Sequence, residues 1–211
     1  MSESRRRTLR GLYAITDGPR EDLVAACEAA LRGGAGVLQY RDKTADAARR
    51  LADARTLVAL CEAHDVPLIV NDDVELAAAA GAAGVHLGED DAAVAHARDR
   101  LGPGAIIGVS CYDSLQRARH LAAAGADYLA FGAFFPSPTK PNARRATPDL
   151  LVEARTLRLP LVAIGGITPA NAGALIDAGA DCIAVISALF DAGDIERRAR
   201  AFAALFHPAR S

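Results

Sequence analysis

The apolar residues of this chain fall in short continuous runs, which are separated by longer segments with helical periodicity. Continuous runs are typical of parallel strands that are covered on both faces, whereas half-exposed strands alternate apolar and polar residues. The predicted strands are Leu12–Ile15, Val37–Tyr40, Pro67–Val70, Gly84–Leu87, Ala105–Val109, Tyr128–Phe131, Leu161–Ile164 and Cys182–Ile186. Segments such as Glu21–Arg32 and Ala45–His64 carry apolar residues at three-to-four spacing and predict helices between the strands.

A weak internal repeat precedes every second strand. In each copy an alanine-rich helix ends at a glycine, which caps it in a left-handed conformation, and a strand begins. The copies start at Gly34, Gly81, Gly125 and Gly179. The repeating unit is therefore βαβα, which predicts a parallel sheet with right-handed crossovers. Four such units in 211 residues predict an α/β protein, a single-domain (β/α)8 TIM barrel.

One catalytic barrel domain is predicted over residues 11–211, after a disordered or loosely attached leader over residues 1–10. The leader is basic but lacks the apolar stretch of a signal peptide. An open doubly wound sheet is the alternative fold. Such a sheet carries G-x-G-x-x-G after its first strand, where this chain has Ile15-Thr16-Asp17-Gly18.

Composition and charge narrow the range of partners. Apolar residues make up 51% of the chain and charged residues 24%, as in ordinary globular proteins. The net charge of −2 gives no reason to expect nucleic acid or an anionic membrane, and no segment has the length and apolarity of a transmembrane helix. The four cysteines are far apart and form no C-x-x-C pair, which indicates reduced thiols and a cytoplasmic location. Small-molecule substrates are the expected partners, and a homo-oligomer is left open.

In a (β/α)8 barrel the site lies at the carboxyl ends of the strands, and strand two ends in Gln39-Tyr40-Arg41-Asp42-Lys43. Alternation along a strand points Gln39, Arg41 and Lys43 to one side. Two cations and an amide on one face suit phosphate oxygens, since arginine offers a planar fork and lysine a point charge. These residues predict a phosphate cradle, with a solvated strand end as the alternative.

Acidic residues follow the next two strands, in Asn71-Asp72-Asp73 and Gly88-Glu89-Asp90-Asp91. Because neighbouring strands lie about 4.8 Å apart, one carboxylate from each loop can reach a common ion. Mg²⁺ prefers one or two carboxylates together with substrate phosphates and water. Asp72 and Asp91 are therefore predicted to bind Mg²⁺, whereas Asp73 is predicted to cap the helix that follows.

Two further strand ends offer less specific signals. His86, within strand four, is predicted to be a hydrogen-bonded core residue, and Ser110 after strand five is either a turn residue or part of the site. The connection Gly132–Pro141 after strand six is the longest between a strand and a helix. Its two hydroxyls and its lysine suit an anionic group that binds or leaves, although a tethered surface loop is the alternative.

Loops seven and eight predict a second anion site. The pair Gly165-Gly166 allows close backbone approach, Thr168-Pro169 predicts a helix start, and Ser187 predicts the start of another short helix. Backbone N–H groups of these two loops form the phosphate site that is common in this fold. A barrel with a Mg²⁺-assisted diphosphate site and a monophosphate site could join two phosphorylated substrates.

Taken together, these motifs resemble the thiamine-phosphate synthase family. The matching stretches run in order along nearly the whole chain. They are Tyr13-Ala14-Ile15-Thr16-Asp17, Gln39-Tyr40-Arg41-Asp42-Lys43, Asn71-Asp72-Asp73, residues 84–91, Ser137-Pro138-Thr139-Lys140, Ile164-Gly165-Gly166-Ile167 and Val185-Ile186-Ser187. Ser137, Tyr40 and Glu89 stand where the family more often has threonine, leucine and glutamine.

The resemblance implies a transferase that uses Mg²⁺ as cofactor. It would join 4-amino-5-hydroxymethyl-2-methylpyrimidine diphosphate to a thiazole phosphate, carboxylated or not, and release thiamine monophosphate and pyrophosphate. Loss of pyrophosphate would be dissociative, without a protein nucleophile. The implied contacts to the pyrimidine diphosphate are Gln39, Arg41, Lys43, Asn71, Ser110 and Lys140, with Arg41, Ser110 and Lys140 as catalytic residues. The implied contacts to the thiazole phosphate are Ser137, Thr139, Gly166, Ile186 and Ser187.

Three rival functions remain on the sequence alone. A related thiazole tautomerase needs neither a metal nor a diphosphate, so it would have no use for Asp72 with Asp91 or Arg41 with Lys43. A sugar-phosphate epimerase or isomerase is not excluded by the fold. A non-catalytic sensor of a thiamine precursor would bind its ligand tightly without turnover.

Overall fold

The computed structural model describes residues 9–88, 93–136 and 145–206. Eight parallel strands follow one another around a closed barrel in chain order, and the eighth pairs with the first. The strands are β1 Gly11–Ile15, β2 Ala35–Tyr40, β3 Leu68–Asn71, β4 Gly84–Leu87, β5 Ile106–Tyr112, β6 Tyr128–Phe131, β7 Leu161–Ile164 and β8 Cys182–Val185. The predicted (β/α)8 fold is confirmed, and the largest difference in strand bounds is the extension of β5 to Tyr112.

Helices cover the outside of the barrel. The α-helices within the described residues are α1 Leu23–Arg32, α2 Ala47–Ala63, α3 Val74–Ala80, α4 Ala93–Leu101, α5 Leu115–Ala123, α6 Pro148–Ala154, α7 Gly173–Asp177, α8 Ser187–Phe190 and α9 Ile195–Ala203. Short 3₁₀ turns follow α6 at Arg155–Leu157 and α9 at Ala204–Phe206.

Local signals for helix ends are mostly confirmed. The four repeat glycines all have positive φ, between 74° and 111°. The carboxylate of Asp73 accepts a hydrogen bond from the Leu76 backbone N–H at 2.8 Å and caps α3. The helix start at Thr168 was predicted wrongly, because α7 begins only at Gly173. The Thr168 carbonyl accepts from the Ala172 N–H at 3.1 Å and closes a separate turn before the helix, and Asn171 Oδ1 accepts from the Thr168 N–H at 2.8 Å.

Buried residues form two layers, as alternation along the strands requires. On β5, Ile106 belongs to the layer inside the barrel and Ile107 to the layer between strands and helices. Leu9 is only 4% exposed and packs in the inner layer, so the packed chain begins before the predicted boundary at residue 11. Residues 1–8 of the predicted leader lie outside the described residues.

Candidate active site

An open cavity of about 630 Å³ lies where β2 and β3 end. It is lined by Asp42, Lys43, Thr44, Arg50, Asn71, Asp72, Asp73, Val74, Glu75, Leu87, Ala93 and His96. The fold thus brings Lys43, from the loop after β2, to the same cavity as Asn71 and Asp72 at the end of β3. Cations and carboxylates from separate loops share one solvent-filled space, which is an arrangement suited to a charged ligand.

The loop that carries Arg41 and Lys43 is tied down on both sides. The Thr16 hydroxyl, fully buried after β1, accepts a hydrogen bond from the Arg41 N–H at 2.8 Å and donates to the Arg41 carbonyl at 3.2 Å. On the other side Asp42 turns towards α2, where it lies 2.8 Å from the Arg49 guanidinium and accepts from the Thr44 N–H at 2.8 Å. These contacts fix the backbone from which the two cations project.

Protonation of Asp42 should release this loop. Burial raises the pKa of Asp42, but the hydrogen bonds from Arg49 and Thr44 outweigh it and bring the pKa to about 2. A carboxyl whose pKa is lower in the folded than in the unfolded chain stabilises the fold above its unfolded pKa of about 3.9, and this contribution is lost as the pH falls. We expect Asp42→Asn to be less stable than the wild type at about pH 6 and equally stable near pH 2 in urea unfolding. A stability difference that is constant with pH would contradict this role.

Arg50 is a cation of the cavity that the sequence patterns did not identify. Its Nη2 donates to Asp73 Oδ2 at 2.9 Å, while its buried Nε has no hydrogen-bond partner among the described residues. A buried guanidinium N–H without a partner at the cavity wall is available to an anionic ligand. A signal was present in the sequence, because Arg49 and Arg50 both lie near the start of α2, where the helix dipole disfavours cations unless they are paired.

Asp72 stands apart from its neighbours in backbone and in exposure. Its φ is +61°, its side chain is exposed, and its Oδ2 accepts from the Asn71 amide at 2.7 Å. Its other oxygen, Oδ1, lies 3.5 Å from where a Cβ would stand on Gly88, so it faces the loop after β4. Asp91 on that loop lies outside the described residues. Within the described ranges, no group of three or more His, Cys, Asp or Glu side chains could hold a metal ion by itself.

Gln39 and Ser110 are joined inside the barrel by a chain of hydrogen bonds. Gln39 Nε2 donates to Tyr13 Oη at 2.8 Å, and Tyr13 Oη lies 2.7 Å from Tyr128 Oη. Tyr128 Oη is 2.9 Å from His86 Nδ1, and His86 Nε2 is 3.0 Å from Ser110 Oγ. His86 is therefore hydrogen-bonded at both ring nitrogens, as predicted for a core histidine, yet one of its partners is the candidate site residue Ser110.

The five side chains in this series of hydrogen bonds are all uncharged near neutral pH. Burial lowers the pKa of His86 to about 4, although the charge of Asp72 opposes the shift. Burial likewise raises the pKa of both phenols above the ordinary value, since ionised groups lose hydration inside the barrel. The interior thus offers hydrogen bonds, and no formal charge, to a ligand above it.

The predicted monophosphate loops meet at β7 and β8. Gly166, with φ +64°, packs so closely on the loop after β6 that a Cβ there would lie 2.6 Å from the Pro136 carbonyl oxygen. Next to it, Ile186 precedes α8, which begins at Ser187 as predicted. The first N–H groups of a helix have no partner within the helix, so the start of α8 presents backbone donors.

Arg20 holds α8 from the loop after β1. Its Nη1 donates to the Phe190 carbonyl oxygen at 3.1 Å, and its guanidinium carbon stands 5.5 Å from the centroid of the Phe190 ring. Asp17 and Asp22 pair with the same guanidinium at 3.4 Å and 2.9 Å. Arg20 thereby attaches α8 to the loop after β1. The remaining predicted contacts, Ser137, Thr139 and Lys140, lie outside the described residues.

These features define a (β/α)8 barrel enzyme whose site combines a charged cavity, a hydrogen-bonding interior and a glycine-lined helix start. A family model of thiamine monophosphate synthases matches residues 12–189. The chain belongs to this family, and it is a transferase of thiamine biosynthesis.

Similar proteins support the family assignment over most of the chain. A thiamine-phosphate synthase of Thiobacillus denitrificans is 58% identical over 199 residues, which cover 93% of this chain and 94% of the relative. One of Marinobacter nauticus is 56% identical over 197 residues, covering 91% and 89%. A solved thiamine phosphate pyrophosphorylase from Pyrococcus furiosus superposes with a TM-score of 0.86 at 35% identity, covering 95% of this chain and 97% of that one.

More distant structures share the fold alone. A 3-hexulose-6-phosphate synthase superposes with a TM-score of 0.70 at 19% identity, over 93% of this chain and 99% of that one. The fold by itself therefore leaves the sugar-phosphate epimerase or isomerase open as a rival, whereas the family match favours the thiamine-phosphate synthase. No helix within residues 9–88, 93–136 and 145–206 has the length and apolarity to cross a membrane.

Proposed function

We propose that this enzyme joins 4-amino-5-hydroxymethyl-2-methylpyrimidine diphosphate to a thiazole phosphate, giving thiamine monophosphate and pyrophosphate. The observation that carries the proposal is the cavity in which Lys43, Asn71 and Asp72 come together. A cation, an amide donor and an exposed carboxylate in one open space suit a diphosphate and a divalent ion. The names of the relatives support the same reaction.

The donor set of this cavity fits Mg²⁺. Asp72 presents a carboxylate towards the loop after β4, on which Asp91 is the second proposed ligand. One or two carboxylates, with phosphate oxygens and water, are the usual ligands of protein-bound Mg²⁺. Bound there, Mg²⁺ would neutralise part of the negative charge that develops on the departing pyrophosphate.

The cations of this chain would hold the diphosphate and stabilise it as it leaves. Lys43 and Arg50 line the cavity, and the loop of Arg41 is fixed by Thr16. From the loop after β6, Lys140 would add a further charge. Because pyrophosphate departs before the new bond forms, catalysis would come from stabilising this charge and needs no protein nucleophile.

The ring of the pyrimidine would lie above the barrel interior, against Gln39 and Ser110. The thiazole phosphate would bind at the start of α8, where Ile186 and Ser187, together with Gly166, would offer backbone N–H groups. Ser137 and Thr139 would contact the thiazole substrate from the loop after β6. The thiazole nitrogen would then attack the pyrimidine cation left by the departing pyrophosphate.

A cytoplasmic location is part of the proposal. All four cysteines are free and buried. Free buried thiols are typical of proteins in reducing compartments.

The decisive measurement is pyrophosphate release from the two substrates with Mg²⁺ and then with excess EDTA. We expect release with Mg²⁺, accompanied by thiamine monophosphate, and its loss in EDTA, because the leaving group then keeps its full charge. Release that persists in EDTA would remove the metal from the proposal. A folded protein that releases nothing would instead favour the tautomerase or the sensor, and tight binding without turnover would separate the second from the first.

A further inference from the structure

The chain of hydrogen bonds inside the barrel has one direction in which every buried hydroxyl proton has an acceptor. Gln39 Nε2 donates to Tyr13 Oη, and each hydroxyl carries only one proton. Since a buried hydroxyl proton needs an acceptor, we take Tyr13 to donate to Tyr128 and Tyr128 to donate to His86 Nδ1, which are the hydrogen bonds open to them. Nδ1 accepts only when the imidazole proton is on Nε2, so His86 donates from Nε2 to Ser110 Oγ.

The two ends of the chain are left with opposite hydrogen-bonding capacity. Gln39 uses its amide N–H inside the barrel, which leaves its amide oxygen as an acceptor. Ser110 accepts from His86, which leaves its hydroxyl proton to be donated. Neither of these two groups has a hydrogen-bond partner among the described residues. Each therefore keeps a hydrogen-bonding position that no described residue fills.

We propose that Tyr13, Tyr128 and His86 are positioning residues that set Gln39 as the acceptor and Ser110 as the donor for the substrate ring. An aminopyrimidine carries an amino N–H donor and ring nitrogen acceptors, so its hydrogen-bonding groups match one acceptor and one donor. The inference rests on the proposed function, because it takes the pyrimidine to be the ring that binds here.

Packing holds the chain in one arrangement. A Cβ on Gly108 would lie 1.8 Å from Tyr128 Cζ, so the phenol occupies space that only a glycine leaves free. The His86 ring stacks on Tyr128 at 5.6 Å between centroids, and Tyr13 meets Tyr128 edge-on at 6.0 Å. Hydrogen-bonding groups that are locked by packing lose little freedom when a ligand binds.

The test uses Tyr128→Phe, which removes one oxygen and keeps the packed ring. Dissociation constants are measured by calorimetry, without thiazole phosphate, for the pyrimidine diphosphate and for its analogue with hydrogen in place of the amino group. We expect the wild type to prefer the amino compound by about tenfold or more, as one lost hydrogen bond would predict. In Tyr128→Phe this preference should fall towards unity. Tyr13→Phe, which breaks the chain one link earlier, should do the same.

Val162→Ala is the matched control, because Val162 is buried in the same inner layer but takes no part in the chain. It should lower stability and keep the preference for the amino compound. If Tyr128→Phe weakens both ligands equally, the two tyrosines only pack and the proposal is overturned.

The tautomer of His86 gives a readout that does not depend on ligand. Nitrogen-15 NMR of the imidazoles, assigned by comparison with His86→Gln, should show the proton on Nε2 in the wild type. A proton on Nδ1 would overturn the proposed direction even in an active enzyme. If the tautomer is as expected but the wild type binds neither pyrimidine, the proposed function is wrong. The assignment of the pyrimidine as the ring bound by Gln39 and Ser110 is then wrong as well.

Discussion

Replacement of Asp72 by asparagine should lower Mg²⁺-dependent pyrophosphate release by about a thousandfold, since a metal ligand contributes several kcal/mol to charge stabilisation. Asparagine keeps the size of the side chain and tolerates the positive φ of 61° at this position better than most residues. The barrel should therefore remain folded, and the loss should fall on metal binding alone. Steady-state release measured across a Mg²⁺ titration, with thermal unfolding as the check on folding, tests this expectation.

The adjacent carboxylate provides the control. Asp73→Asn removes the same charge from the same loop, but Asp73 serves as the cap of α3 and as a partner of Arg50. Asparagine is as good a helix cap as aspartate. We expect this variant to keep its requirement for Mg²⁺ with an unchanged half-saturating concentration. Equal losses in the two variants would mean that loop charge, and not a specific ligand at Asp72, controls the reaction.

Replacement of Gly166 by alanine should raise the KM for the thiazole phosphate by about tenfold or more, the effect of one to a few kcal/mol of backbone strain. Its φ of +64° disfavours any other residue, and the added Cβ would lie 2.6 Å from the Pro136 oxygen and 2.7 Å from the Phe135 oxygen. The loops after β6 and β7 would have to separate, which moves the donors at the start of α8. Initial rates at varied thiazole phosphate, with saturating pyrimidine diphosphate, measure the change.

Gly173→Ala is the comparison for that variant. Gly173 begins α7 and follows the same loop, but a Cβ there meets nothing within 4 Å. Alanine in a helix is favoured over glycine by about 0.5–1 kcal/mol, so stability should stay equal or rise slightly. An unchanged KM in Gly173→Ala beside a raised KM in Gly166→Ala would assign the effect to the close contact. Unchanged KM in both would remove Gly166 from the thiazole phosphate site.

Local patterns predicted most of the fold because each one acts over a few residues. The continuous apolar runs gave the strands, and the cap of α3 followed from Asp73 and its position before an apolar segment. The wrong helix start at Thr168 is an equally local difference, since the Thr168 carbonyl accepts from the Ala172 N–H and closes one turn, but the continuous helix begins at Gly173. Propensity alone does not show which of the two arrangements wins.

Contacts between distant residues could not be predicted in this way. Tyr13 and Tyr128 are 115 residues apart, and they meet only because the barrel closes and the register of each strand turns both phenols inward. Gly108 leaves the space that the Tyr128 ring occupies. In the sequence it is simply a glycine within an apolar strand. The place of Arg50 at the cavity likewise depends on its hydrogen bond to Asp73, which follows a different strand.

The two buried layers have different roles, since the outer layer stabilises the fold and the inner layer includes the side chains proposed to recognise the ligand. Most large apolar side chains pack between strands and helices, whereas the layer inside the barrel includes the two tyrosines beside the polar Gln39. A systematic substitution scan should therefore separate into two populations. Changes in the outer layer would lower abundance and leave specific activity intact, and changes at Tyr13, Gln39 and Tyr128 inside the barrel would do the reverse. Such an enzyme can acquire a new ligand without first giving up the stability of its scaffold.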